Sequence, residues 1–108
     1  MDAPTPLWEM TFPIAGWQHY DGEPLLPSLK AGDPLVLRPE LDNPYDTNAV
    51  AVYTEGGKKL GYAPATRAEA LSERLTTHPT LTASIDNLYP AAPPDYKVYV
   101  RCVDGEGV

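Results

Sequence analysis

Cysteine and phenylalanine are almost absent from this 108-residue chain, with one of each, and cationic side chains are outnumbered. One cysteine, Cys102, cannot close a disulfide within the chain, so no covalent framework is to be expected. Eight Lys and Arg stand against fifteen Asp and Glu, a formal charge of -7. That balance excludes tight, unspecific duplex binding, which needs many phosphate contacts, and it repels anionic lipid. No run approaches the roughly 20 apolar residues that cross a bilayer. The start Met1-Asp2-Ala3-Pro4 has neither the basic end nor the apolar stretch of a secretory signal, which points to a reducing cytoplasmic setting.

What is present fits one small domain over residues 1–108, with a core from about 7 to 103 and frayed tails, the second from Asp104 to Val108. Apolar residues make up 43% of the chain, enough for one core, and thirteen prolines call for short elements and turns. Trp8, Met10, Phe12 and Ile14 alternate with Leu7, Glu9, Thr11 and Pro13 as in a half-buried strand, which Pro13 places at an edge or a bulge. A second strand runs near Pro34 to Arg38. Ala49 to Tyr53 and Lys58 to Tyr62 form a hairpin around Thr54-Glu55-Gly56-Gly57. Thr66 and Glu69 have the spacing of a capping box, and Ala68, Leu71 and Leu75 form the apolar stripe of a helix that stops before Pro79. Leu81, Ala83 and Ile85, and then Tyr96, Val98, Val100 and Cys102, mark two further strands, joined by an exposed proline-rich loop over residues 89–95. The expected fold is mainly β with one or two short helices: a small antiparallel barrel of about six strands, OB-like or SH3-like.

Catalytic equipment is lacking. His78 follows the helix, Cys102 has apolar alternate neighbours, and their spacing makes no nucleophile-and-base arrangement. Asp42, Asp46 and Asn48 imitate part of a calcium loop, but Pro44 takes the third place and Thr47 the glycine place, so no metal, cofactor or small-molecule substrate is implied. Lys58 and Lys59 at the hairpin read as edge protection.

The chemistry concentrates in Asp42-Asn43-Pro44-Tyr45-Asp46-Thr47-Asn48. Its plainest reading is a self-capped loop, since Asn and Asp close turns onto nearby backbone N–H groups. A second reading uses Tyr45, whose ring on a proline-stiffened loop can stack on a base for about 1–3 kcal/mol. Asp46 beside it repels phosphate but accepts strongly from a hydroxyl, a combination suited to the free end of a strand.

From Ile14 to Leu75 the sequence resembles the HIRAN domain. The resemblance rests on Ala15-Gly16 with Tyr20, Gly32-Asp33 before Leu35-Val36-Leu37-Arg38, then Asp42-Asn43-Pro44-Tyr45-Asp46, Asn48-Ala49-Val50-Ala51-Val52 and Leu60-Gly61-Tyr62. It implies an OB-like barrel that recognises the 3′-hydroxyl end of single-stranded DNA in DNA repair or processing. On that resemblance Tyr45 stacks on the terminal base, Asp46 accepts from the hydroxyl and Asn43 shapes or joins the pocket. Tyr20 and Tyr62 are further candidates. Gln18 and His19 stand where DNA-binding members carry a basic and an aromatic residue, and Ala65 stands where a phosphate-binding residue is expected, with Arg67 as a substitute. The implied partners are a weakly bound DNA end and a separate helicase or nuclease. The alternative is a protein-interaction module that kept the barrel without the DNA site, motivated by the charge and these departures.

Overall fold

The computed structural model describes residues 8–78 and 80–104. Six strands form one antiparallel sheet: β1 (Trp8–Pro13), β2 (Pro34–Pro39), β3 (Val50–Thr54), β4 (Lys59–Tyr62), β5 (Thr82–Leu88) and β6 (Val98–Asp104), in the order β1-β6-β5-β2-β3-β4. Two α-helices interrupt them, the single-turn α1 (Gly22–Leu25) and α2 (Ala65–Thr77), with short 3₁₀ turns at Trp17–His19, Leu26–Ser28 and Pro94–Tyr96. The expected mainly-β, OB-like architecture is what the chain adopts.

The period-2 patterns place the core. Phe12, Ile14, Val50, Val52, Leu60, Ile85, Val98, Val100 and Cys102 are buried together, and Leu71 of α2 joins them. Each such large apolar side chain withdrawn from water contributes about 1.5–3 kcal/mol. Burial also pushes the Cys102 thiol up to about 12. Trp17 is buried, donates its indole N–H to Glu23, and lies so close to Gly22 that a Cβ there would come within 2.6 Å of the ring.

The sheet curls into a half-barrel, and its two ends touch. Just past β1, Ala15 N donates to Tyr62 O at 2.8 Å and Tyr62 N to Ala15 O at 2.9 Å. The approach requires glycine at 61: φ is +149°, and a Cβ would collide with the Ala15 carbonyl oxygen. Opposite this seam, β2 and β5 pair only at Pro34↔Ser84 and Leu35↔Ala83, then diverge around a gap lined by Leu37, Leu81 and Leu75 of α2.

Three local expectations change. Helix α2 starts at Ala65 with Pro64 as its N-cap and no side-chain cap, so Thr66 and Glu69 do not form a capping box; the backbone carbonyl of Pro64 already receives Arg67 N and Ala68 N. Asp104 is no frayed residue: it ends β6 opposite Trp8, is buried, and meets Thr80 Oγ1 at 3.3 Å and Arg74 Nε at 3.7 Å. The proline-rich loop is exposed as expected, with Asp95 Oδ1 accepting from Gly16 N at 3.0 Å, but Tyr96 falls in the 3₁₀ turn Pro94–Tyr96 and is exposed, outside β6, which starts at Val98. Leu7 and the outer tails, residues 1–7 and 105–108, lie outside the described residues.

Candidate nucleic-acid interface

The loop between β2 and β3 is built by its own side chains. Asn43 Oδ1 accepts from Tyr45 N at 2.8 Å and from Asp46 N at 3.1 Å, while Asp46 Oδ1 accepts from Asn48 N at 2.8 Å. Backbone bonds from Glu40 N to Ala49 O (2.8 Å) and Ala49 N to Asp46 O (3.0 Å) close its base. The self-capped loop is therefore real, and it presents the ring rather than hiding it: Tyr45 is 94% exposed. Pro44 fixes its own backbone angle and restricts Asn43, so the ring stands on a stiff support.

A cavity of about 550 Å³ opens beside this loop. Asn43, Tyr45 and Asp46 line it from one side and Tyr20 and Tyr62 from another, and the small side chains of Ala49, Ala63 and Ala65 leave it room. Five of the eight sequence candidates thus converge. Gln18, His19 and Arg67 are exposed and outside this lining; Gln18 and His19 are 3.5 Å apart, nitrogen to nitrogen. Asn43 is a shaping residue by its bonds, because its oxygen is committed to the loop backbone and its amide N–H to Glu40 Oε1 at 3.1 Å. Asp46 spends one carboxylate oxygen on Asn48 N; the other accepts from no protein donor among the described residues.

Two members of the site were not foreseen. Glu40 lines the cavity, and its carboxylate accepts from Lys59 Nζ at 2.9 Å and from Tyr62 OH at 2.7 Å. Lys59 Nζ also donates to Tyr62 OH at 2.7 Å and lies over the rings of Tyr62 (4.3 Å) and Tyr20 (4.8 Å), which meet edge-to-face at 5.7 Å. Lys59 is thus an anchoring residue of the wall, not edge protection. The cause is a β-bulge. Tyr62 pairs with Ala51, Gly61 with Val52 and Lys59 with Tyr53, which leaves Leu60 as the extra residue and turns Lys59 and Tyr62 to one face. No sequence periodicity announces such a skip.

Electrostatics follow from these contacts. Burial pushes the Glu40 carboxyl up, but hydrogen bonds from Lys59, Tyr62 and Asn43 outweigh it and hold the group below the usual carboxylate value. Burial likewise disfavours the Lys59 ammonium, yet its bonds to Tyr62 and Glu40 hold it above the ordinary lysine value. Burial takes the Tyr62 hydroxyl up to about 12. Lys59 cancels the charge of Glu40, so the lining keeps the unbalanced carboxylates Asp42 and Asp46 and, among the described residues, carries no Lys or Arg. Such a cavity accepts aromatic and hydroxyl groups and disfavours a phosphate inside it.

No helix among the described residues is long and apolar enough to cross a membrane. No curated protein matches the chain in sequence. Two solved structures share its fold. The HIRAN domain of human HLTF is 15% identical, with a TM-score of 0.72 over 94% of this chain and 78% of that one. A protein from Lactobacillus plantarum is 22% identical, with a TM-score of 0.72 over 97% of this chain and 100% of that one. The sequence model of the HIRAN domain matches residues 9–103, which span nearly all of the half-barrel and the whole cavity loop. The chain belongs to the HIRAN domain family.

Proposed function

We propose that the cavity receives the 3′-hydroxyl end of a single strand of DNA, and that the protein is a non-catalytic reader of such ends in DNA repair or processing. The observation that carries this reading is the pairing of a fully presented Tyr45 ring with an Asp46 carboxylate that keeps one oxygen unengaged among the described residues. The terminal base stacks on Tyr45, and the terminal hydroxyl donates to Asp46. The same carboxylates repel a terminal phosphate, so the end chemistry is selected by charge as well as by hydrogen bonding. Tyr20 and Tyr62 form the facing aromatic wall, and the Glu40–Lys59 pair holds Tyr62 in place. A separate helicase or nuclease in the cytoplasm is the partner that would use such a reader.

A protein-interaction role is favoured by one observation, the absence of any cation from the described cavity lining in a chain of charge -7. Fluorescence anisotropy separates the two. A short single strand ending in a 3′-hydroxyl is expected to bind, and the same strand ending in a 3′-phosphate to bind at least roughly tenfold more weakly. Equal affinity removes the role of Asp46. Absence of binding to both strands at low salt leaves the interaction role standing.

A further inference from the structure

The cavity accounts for a strand's last nucleotide but supplies no cation for the phosphates that precede it. Among the described residues, four of the chain's eight basic side chains are ion-paired: Lys59 with Glu40, Arg74 with Asp104, Lys97 with Glu23 and Arg101 with Glu9. Of the remaining four, only Arg38 is held by an aromatic ring among the described residues. Its guanidinium carbon lies 5.1 Å from the centre of the Tyr53 ring, and the residue is exposed.

The sheet register puts Arg38 next to the cavity. Arg38 pairs with Ala51, and Ala51 pairs with Tyr62, so the three form one row across β2, β3 and β4. Residues directly opposite in such a row share a face, and two strand spacings separate the backbones of Arg38 and Tyr62 by about 10 Å. Ala51 between them is small and fully buried, so the surface between the guanidinium and the aromatic wall is made by neighbouring side chains and not by bare β3. Glu40, which lines the cavity, follows Arg38 by two residues. Tyr53 pairs with Lys59 two rows on and its ring is 6.0 Å from the Lys59 ammonium, so the ring under Arg38 is continuous with the network that holds Tyr62.

Resting on the reading of the cavity as a strand-end pocket, we infer that Arg38, seated on Tyr53, is the phosphate-binding subsite for the strand leaving that pocket. The guanidinium's planar fork matches a phosphodiester, and its stacking on the ring restricts it beforehand, so less freedom is lost on binding. A bound strand therefore runs from Tyr45 past Tyr62 and over the side chains that cover Ala51 of β3 towards Arg38.

The test compares a dinucleotide and a decanucleotide, both ending in a 3′-hydroxyl, on wild type, Arg38→Gln, Arg38→Lys and Tyr45→Ala, by anisotropy over a salt series. Arg38→Gln is expected to weaken the decanucleotide about fivefold and to flatten the slope of log K against log salt by about 0.7, the value for one single-strand phosphate contact. The dinucleotide, which ends at the pocket mouth, should be unaffected. Arg38→Lys should keep the slope, and matching thermal unfolding curves would show that the Arg38→Gln substitution has not disturbed the sheet. An unchanged slope in Arg38→Gln, or equal weakening of both oligonucleotides, overturns the subsite. If Tyr45→Ala weakens both oligonucleotides while Arg38→Gln weakens neither, the end pocket survives and only the subsite falls. If the wild type binds neither, both fall.

Discussion

Ala15 and Tyr62 exchange two backbone hydrogen bonds, of 2.8 and 2.9 Å, and that single bridge joins the two ends of the sheet. It also sets one wall of the cavity. Tyr62 is held by its backbone to Ala15 and by its hydroxyl to Glu40 and Lys59, and the chain leaving Ala15 returns as Tyr20 against the Tyr62 ring. Barrel closure and site geometry are thus one structural event.

Gly61→Ala tests that coupling. The added methyl meets the Ala15 carbonyl oxygen and Ile14 Cγ2 at a φ that disfavours any side chain. A loss of roughly 2–4 kcal/mol is expected in urea unfolding, the range of overpacking combined with backbone strain. A loss below about 0.5 kcal/mol, the scale of an ordinary surface change, would show that the seam opens without cost.

Tyr45→Ala separates binding from folding. With its ring 94% exposed, the substitution should leave the melting temperature within a degree or two. Binding of a 3′-hydroxyl strand should weaken by about 1–3 kcal/mol, the stacking contribution of one base. A large fall in melting temperature would mean that the ring packs against the protein.

Asn43→Ala is expected to do the reverse. It removes the acceptor for Tyr45 N and Asp46 N together with the bond to Glu40. Stability should fall by about 1–2 kcal/mol, as when a capping side chain is lost. Amide exchange at Tyr45 and Asp46 should accelerate, and unchanged protection there would show that the loop holds itself by other means.

The Glu40–Lys59–Tyr62 network makes a pH prediction. Glu40 titrates below its ordinary 4.5 in the folded protein, so its contribution is complete above that value and drains away as pH falls through the lowered folded value. Lys59 lies above its ordinary 10.5 and Tyr62 is raised from 10.0 to about 12, so their contributions hold below the ordinary values and are lost as pH rises beyond them. Glu40→Gln should cost about 1–2 kcal/mol at neutral pH, and the gap from wild type should close in acid. A gap independent of pH would sink the assignment.

Cys102 gives the last prediction. Fully buried, with its thiol raised to about 12, it should react with a thiol reagent only as fast as the protein unfolds. Prompt labelling under native conditions would place it at the surface.

Alternation is a local property, so the strand faces were legible in the chain: Phe12 and Ile14, Val50 and Val52, Val98, Val100 and Cys102 are buried as their spacing requires. The loop from Asn43 to Asn48 was legible for the same reason, since Asn and Asp close turns onto residues two or three places away. Glu40 and Lys59 were not. They stand 19 positions apart and meet only because a bulge at Leu60 changes which face Lys59 takes, and Arg38 reaches Tyr62's row only through β3. Residue order was therefore sufficient for the strands, the apolar stripe of α2 and an exposed tyrosine beside an aspartate, because each depends on neighbours a few residues away. It took the folded arrangement to close the sheet at Ala15 and Tyr62, to neutralise the cavity's third carboxylate with a lysine, and to set Arg38 in one row with Tyr62. Those outcomes rest on register and on contacts between residues distant along the chain, where a shift of one residue turns a side chain to the opposite face.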